Sequence, residues 1–85
     1  MTIVAIESVP LVGADVFLRA LSAAGVEGAV VTEEPRLELR VPDGDLDGLS
    51  RRVAAALERV VDALPHELVP ERVGPTSFSV HPPAA

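Results

Sequence analysis

The feature that most constrains the fold of this chain is an apolar stripe in its second half. Residues three and four apart share one face of an α-helix, so the spacing of the stripe predicts an amphipathic helix. Such a helix needs an apolar surface to cover, and the rest of the chain must supply it. Pro65 ends the pattern because proline cannot continue a helix. The stripe consists of Leu46, Leu49, Val53, Leu57, Val60 and Leu64.

Shorter patterns predict four strands that could form this surface. TIVAIES, residues 2–8, is a short apolar run rich in β-branched side chains, and VEGAVVTEE, residues 26–34, is predicted to be the second strand. RLELRV, residues 36–41, alternates strictly between apolar and charged residues, which is typical of a half-buried strand. TSFSV, residues 76–80, alternates in the same way.

A second helix and the order of the elements then predict the fold class. Phe17, Leu21 and Ala24 repeat at helical spacing between the first two strands, and Gly25 lies where that helix would end. The segment HELVPERVGP, residues 66–75, is predicted to be a linker. The order β-α-β-β-α-β with right-handed crossovers predicts an α+β, ferredoxin-like plait. We expect one domain over residues 1–85, with a four-stranded antiparallel sheet in the order 4-1-3-2, both helices on one face and a Pro-rich tail over residues 81–85.

The amino-acid composition argues against several classes of function. There is no Cys, which excludes disulfides and thiolate metal sites, and the absence of Lys and Asn suggests a GC-rich bacterial or archaeal genome. The net charge is -6 and the Arg residues are scattered, so we expect binding neither to nucleic acid nor to anionic membranes. The first ten residues contain no basic segment and no long apolar run, so we expect a cytoplasmic protein.

The stretch PDGDLDG, residues 42–48, resembles the opening of a calcium-binding loop. The twelfth position of such a loop requires a bidentate Glu, but that position is Ala54, and the ninth position is the cation Arg51. The alternative is that these residues form the start of a helix, which explains each aspartate without a metal ion. We therefore predict that Asp45 caps the long helix and that Asp47 lies in its first turn.

The other reactive residues form no catalytic or metal-binding pattern. His66 and Glu67 lack the second His that a zinc-protease helix requires, because that position is Pro70. His81 follows the last strand, where a pH-responsive surface contact is chemically allowed. No Ser lies in a nucleophile elbow. We therefore expect no catalytic residue, no metal and no cofactor.

The face of the sheet that the helices leave open is the best candidate for a functional surface. If Leu37 and Leu39 point to the helices, Glu38 points away, and Glu7 indicates the same outward face on the first strand. Apolar groups beside charges on such a face often mark an interface, although β-propensity alone also explains apolar strands. The candidate interface residues are Ile3, Ala5, Glu7, Ala29, Val31, Glu38, Arg40, Ser77, Ser79 and His81.

The run LRALSAAGVEGAVVTEEPRLELRVPDGDLDGLSRRVAAAL, residues 18–57, resembles in its rhythm the ACT family of small ligand-sensing domains. Those domains also pair a helix that ends in an AAGV-type turn with a hairpin and a second helix. The Asp-x-Pro-Gly turn that they often use for ligand binding is absent, and the corresponding loop is SVPLVGAD, residues 8–15. The resemblance therefore implies no binding residues.

Three hypotheses for the function follow. The leading one is a non-enzymatic interaction domain, an accessory or regulatory subunit that forms a homodimer or docks on a larger protein. The second is an ACT-like sensor that binds a small molecule at a dimer interface near the first loop. The third is a small cofactor-free plait enzyme that would use His81, His66, Glu7 or Arg40.

Overall fold

The computed structural model describes residues 2–8, 13–33, 36–65 and 67–83, which form two helices and five strands of the predicted α+β class. The elements in chain order are β1 (Thr2–Ser8), α1 (Ala14–Ala23), β2 (Ala29–Thr32), β3 (Leu37–Val41), α2 (Leu46–Ala63), β4 (Val69–Arg72) and β5 (Ser77–His81).

The sheet corrects the predicted one in strand number and direction. It contains five strands in the order β2-β3-β1-β5-β4, whereas the sequence predicts four in the order 4-1-3-2. β1 pairs antiparallel with β3 but parallel with β5, so the sheet is mixed and the prediction of an antiparallel sheet is wrong. The four predicted strands keep their predicted neighbours, and the fifth adds to the outer side of β5. His81, which the sequence predicts to open the tail, is the last residue of β5, because it pairs with Val69 of this fifth strand.

The additional strand, β4, lies in the segment predicted to be a linker. It pairs antiparallel with β5 and forms an edge of the sheet, where a proline such as Pro70 is tolerated because edge strands have unpaired donors. The Val73 N–H donates to the Ser77 carbonyl at 2.9 Å and closes the hairpin. The chain crosses over from β3 to the parallel strand β4 and then reverses, and this reversal makes β5 parallel to β1.

Both helices pack on the same face of the sheet. Val4 pairs with Leu39 and Ile6 pairs with Phe78, so these four buried side chains point to one side of the strands. Both helices contribute to the same apolar cluster, and the opposite face of the sheet is covered by neither of them. The buried helix residues of the cluster are Phe17, Leu21, Leu49, Val53, Ala56, Leu57 and Val60.

The start of α2 follows the prediction from the aspartates. Asp45 is the N-cap, and its carboxylate accepts a hydrogen bond from the Asp47 N–H at 3.1 Å. Leu46 opens the predicted apolar stripe but is 47% exposed, so the buried part of the stripe begins one turn later. The Ser50 hydroxyl is buried and donates to the Pro75 carbonyl at 2.7 Å, which ties α2 to the β4–β5 hairpin. No helix in the described part of the chain is long and apolar enough to cross a membrane.

Candidate interaction face

The strand register defines the surface that neither helix covers, which we call the helix-free face. Residues paired across neighbouring strands lie on the same side of a sheet, and those next to them in sequence lie on the other side. All of the candidate interface residues except Val31 lie on this face. Its described strand residues are Ile3, Ala5, Glu7, Ala29, Thr32, Glu38, Arg40, Val69, Glu71, Ser77, Ser79 and His81.

Val31 departs from the predicted placement because β2 contains an irregularity. The register shifts between Val30 and Thr32, so Val31 has no partner on β3 and the alternation of faces fails at this point. In a regular strand, Val31 would pair with Glu38. In β2, Thr32 pairs with Glu38 instead. The sequence contains no glycine or proline at this point that would reveal the shift.

Ala5 lies on the helix-free face but is only 7% exposed. Ala5 lies on a central strand, and Glu38 of β3 and Ser77 of β5 flank it in register on its two sides. Ala5 therefore contributes to the floor of the face and offers a partner little contact area.

β4 brings Val69 and Glu71 to the helix-free face, and the sequence analysis missed both of them. Val69 pairs with His81, and Glu71 pairs with Ser79. Val69 and Glu71 are two residues apart in the sequence, on either side of Pro70, which is the spacing of residues that share one face of a strand. This spacing could have predicted their placement. The proline concealed it because proline is rare inside strands.

The centre of the helix-free face consists of small side chains. Ala5, Ser77 and Ser79 lie next to each other on β1 and β5, and neither serine hydroxyl is hydrogen-bonded to another described residue. Longer charged side chains on β3 and β4 border this centre. The face is therefore a shallow polar surface, and it is more polar than the sequence pattern alone indicates.

Ion pairs organise the charges on one side of the face. The Arg36 guanidinium lies 3.5 Å from a carboxylate oxygen of Glu7 and 3.5 Å from one of Glu38, which joins β1 to the start of β3. These groups are partly solvated, so each pair adds little stability. Arg40 forms no ion pair with any described residue, and its charge is available to a partner.

His81 is held between two acceptors on the other side of the face. Its Nε2 lies 2.9 Å from a Glu71 carboxylate oxygen, and its Nδ1 lies 2.8 Å from the Pro82 carbonyl oxygen. A neutral imidazole carries one N–H, so only the imidazolium can donate to both acceptors. The Pro82 carbonyl and the Glu71 carboxylate accordingly raise the pKa of His81 above its usual value of 6.5. With both nitrogens engaged, the ring is not poised as a general base.

Replacing Glu71 with glutamine is expected to lower the pKa of His81, because the amide keeps an acceptor but loses the negative charge. The folded pKa in the wild type exceeds the unfolded value, so the contact stabilises the fold fully below about pH 6.5 and is lost as the pH rises through the folded pKa. NMR titration of the His81 ring measures this pKa in both proteins.

Glu38→Gln is the matched control, since it removes a carboxylate from the same face on a strand that does not contact His81. This variant is expected to leave the titration of His81 unchanged. A wild-type pKa at or below 6.5, or equal values in the wild type and Glu71→Gln, would contradict the two-acceptor arrangement.

Two of the aspartates in residues 42–48 form hydrogen bonds within the chain. Asp45 is engaged in capping α2, and the Thr2 hydroxyl donates to an Asp43 carboxylate oxygen at 3.1 Å. Among the described residues, no three carboxylate or imidazole side chains are grouped closely enough to hold a metal ion. His66, which the sequence analysis considered as a ligand or base, lies outside the described residues.

A cleft of about 260 Å³ lies between the α1–β2 loop, the β3–α2 loop and α2. Its floor includes the apolar residues Val26 and Leu49, and its rim carries Glu27, Asp45 and Arg52. This position differs from the first loop, where the sequence analysis placed a possible ligand. Residues 9–12 of that loop lie outside the described residues.

Comparison of the chain with protein-family models, curated proteins and solved structures finds no significant match to any of them.

Proposed function

We propose that this chain is a non-enzymatic, cytoplasmic interaction domain, an accessory or regulatory subunit that binds a second copy of itself or a larger protein through the helix-free face. The observation that supports it is the composition of this face. It combines small side chains at its centre, serine hydroxyls that bond to no other described residue, and a border of both charge signs. Non-obligate interfaces are about as polar as the rest of a protein surface, so this composition suits a partner that associates and dissociates.

The small size of the domain supports the same role. A chain of 85 residues buries a smaller share of its surface than a larger domain does, and association on one face would add stability. The reactive side chains on this face support catalysis less well. Each ring nitrogen of His81 lies within hydrogen-bond distance of an oxygen acceptor, and Arg36 is paired with two carboxylates.

Ser79→Arg tests the proposal, because it places a long side chain at the centre of the helix-free face. The new cation lies in register between Glu7 and Glu71, so the variant keeps favourable neighbours and is expected to fold. Sedimentation velocity at micromolar concentration and affinity capture from the native lysate compare the variant with the wild type. We expect association by the wild type, to itself or to a captured protein, to weaken about tenfold or more in the variant.

Ala55→Arg is the control, since Ala55 lies on the exposed side of α2 and away from the sheet. It is expected to associate like the wild type. A wild type that stays strictly monomeric and captures nothing would count against the proposal, as would equal association by Ser79→Arg and Ala55→Arg.

A small-molecule sensor is the second candidate function, and the cleft beside α2 is the observation that favours it. The apolar floor with a few charged rim residues is the usual composition of a ligand site, although its volume lies just below the range of about 300–1,000 Å³ that is common for such sites. A thermal-shift screen of amino acids and nucleotides discriminates between the two functions, because a ligand of the cleft would stabilise the chain without changing its association.

A further inference from the structure

The two edges of the sheet are protected to different degrees. Natural proteins protect edge strands with proline and with charged side chains, because unpaired backbone groups otherwise recruit further strands. The β4 edge carries both devices within four residues, namely Pro70, Glu71 and Arg72. That edge is therefore protected against an incoming strand.

The β2 edge carries neither device. Its residues, AVVT, include no proline and no charge, and Val30 and Val31 are 42% and 49% exposed. Within the described ranges, β2 pairs only with β3, so its outer backbone groups meet no other strand. A register shift such as the one in β2 also discourages the addition of another strand. In β2, however, it leaves two valines exposed at the edge and introduces no charged side chain there.

We infer that the outer edge of β2 accepts an extended, basic segment of another protein as an additional strand. This site is separate from the helix-free face, and it extends the proposed interaction role to a partner of stated chemistry. Backbone hydrogen bonds would provide the pairing, and Val30 and Val31 would contact apolar side chains of the incoming segment.

The charges at the two ends of β2 favour a basic partner, and the nearest cation, Arg40, lies on β3, one strand further from the edge. Glu27 and Glu33 precede and follow the strand, and both are exposed. An added strand runs about 4.8 Å from β2, so its ends lie close to these carboxylates. Lys or Arg at those ends would form attractive pairs with them.

The same charges disfavour a second copy of this chain at this edge. An antiparallel copy would place Glu27 of one chain near Glu33 of the other, and a parallel copy would bring each of these residues near its own counterpart. In both orientations, carboxylates of the two copies lie close together and repel each other. The net charge of -6 adds a general repulsion between copies.

A fluorescent synthetic peptide that alternates valine and lysine is the probe, and fluorescence anisotropy with the full chain measures its binding. We expect binding that weakens with added salt, and backbone NMR shifts that centre on β2. A peptide with glutamate in place of lysine is expected to bind about tenfold more weakly or not at all. Methylating the backbone nitrogens that face β2 is expected to abolish binding, because it removes the pairing donors.

Val31→Lys is the protein variant, since it introduces a like charge at the edge and removes an exposed apolar contact. We expect it to weaken binding of the lysine peptide about tenfold. Val16→Lys is its control, because Val16 is an exposed valine of α1 at 37% exposure, and it is expected to bind normally. Thermal unfolding of each variant verifies that it is folded.

Several outcomes would overturn the inference. One is that the lysine peptide does not bind. Another is that the glutamate peptide or the methylated peptide binds as tightly as the lysine peptide. A third is that Val31→Lys and Val16→Lys change the binding of the lysine peptide equally. A wild-type dimer that Val31→Lys dissociates would assign the edge to a second copy instead. Ser79→Arg separates this inference from the proposed function, because it is expected to impair association through the helix-free face and to leave peptide binding at β2 intact.

Discussion

Replacing Phe78 with alanine is expected to lower the free energy of unfolding by about 3–5 kcal/mol, the usual cost of removing a buried aromatic side chain. Phe78 is 3% exposed and pairs in register with Ile6 of β1. The only other aromatic side chain is Phe17, which is itself buried, and the aliphatic neighbours are too short to fill the space. Urea denaturation followed by circular dichroism measures the loss.

Val73→Ala is the control in the same hairpin. Val73 is 61% exposed, so its truncation is expected to change the free energy of unfolding by no more than about 0.5 kcal/mol. A loss below about 1 kcal/mol for Phe78→Ala would contradict the central packing of β5 against the helices, because surface substitutions produce changes of that size.

The elements with regular periodicity were predictable from the sequence. The apolar stripe predicted α2, and the alternation in residues 36–41 predicted β3, because one buried face imposes a strict spacing on each element. Asp45 predicted the start of α2, since free N–H groups at a helix N-terminus favour a carboxylate. These predictions depend on local chemistry alone, which a single sequence contains.

The direction of β5 was not predictable in the same way, because it depends on a strand without a clear pattern. β4 has four residues, and Pro70 interrupts its alternation. Pro70 is tolerated because β4 lies at an edge, which is a property of the whole sheet and not of the segment. Omitting one strand between α2 and β5 reversed the predicted direction of β5, so one local error changed the topology.

The candidate face was predictable in outline and not in detail. Alternation within each strand assigned most of its residues, including His81, to one side. Burial of Ala5 and the contact between His81 and Glu71 depend on which strands become neighbours. The contact in particular requires β4, and the sequence analysis had placed Glu71 in a linker.

Replacing Gly28 with alanine is expected to lower the free energy of unfolding by about 1–3 kcal/mol, the usual range for a side chain without space. A Cβ atom at this position would clash with the Arg40 carbonyl oxygen and would lie 2.8 Å from Val41 Cγ1. The carbonyl belongs to the backbone of β3, so relief requires β2 to move away from β3. Urea denaturation measures the loss of stability, and amide hydrogen exchange is expected to accelerate in β2 first.

Gly44→Ala is the matched control for Gly28→Ala. A Cβ atom at Gly44 meets no other group within 4 Å, and its backbone does not have a positive φ. This substitution is therefore expected to be neutral or to stabilise the fold by up to about 1 kcal/mol, because alanine restricts the unfolded chain. Equal effects of the two substitutions would show that β2 does not pack closely against β3. The β2 edge would then lack the rigid support that an added strand needs.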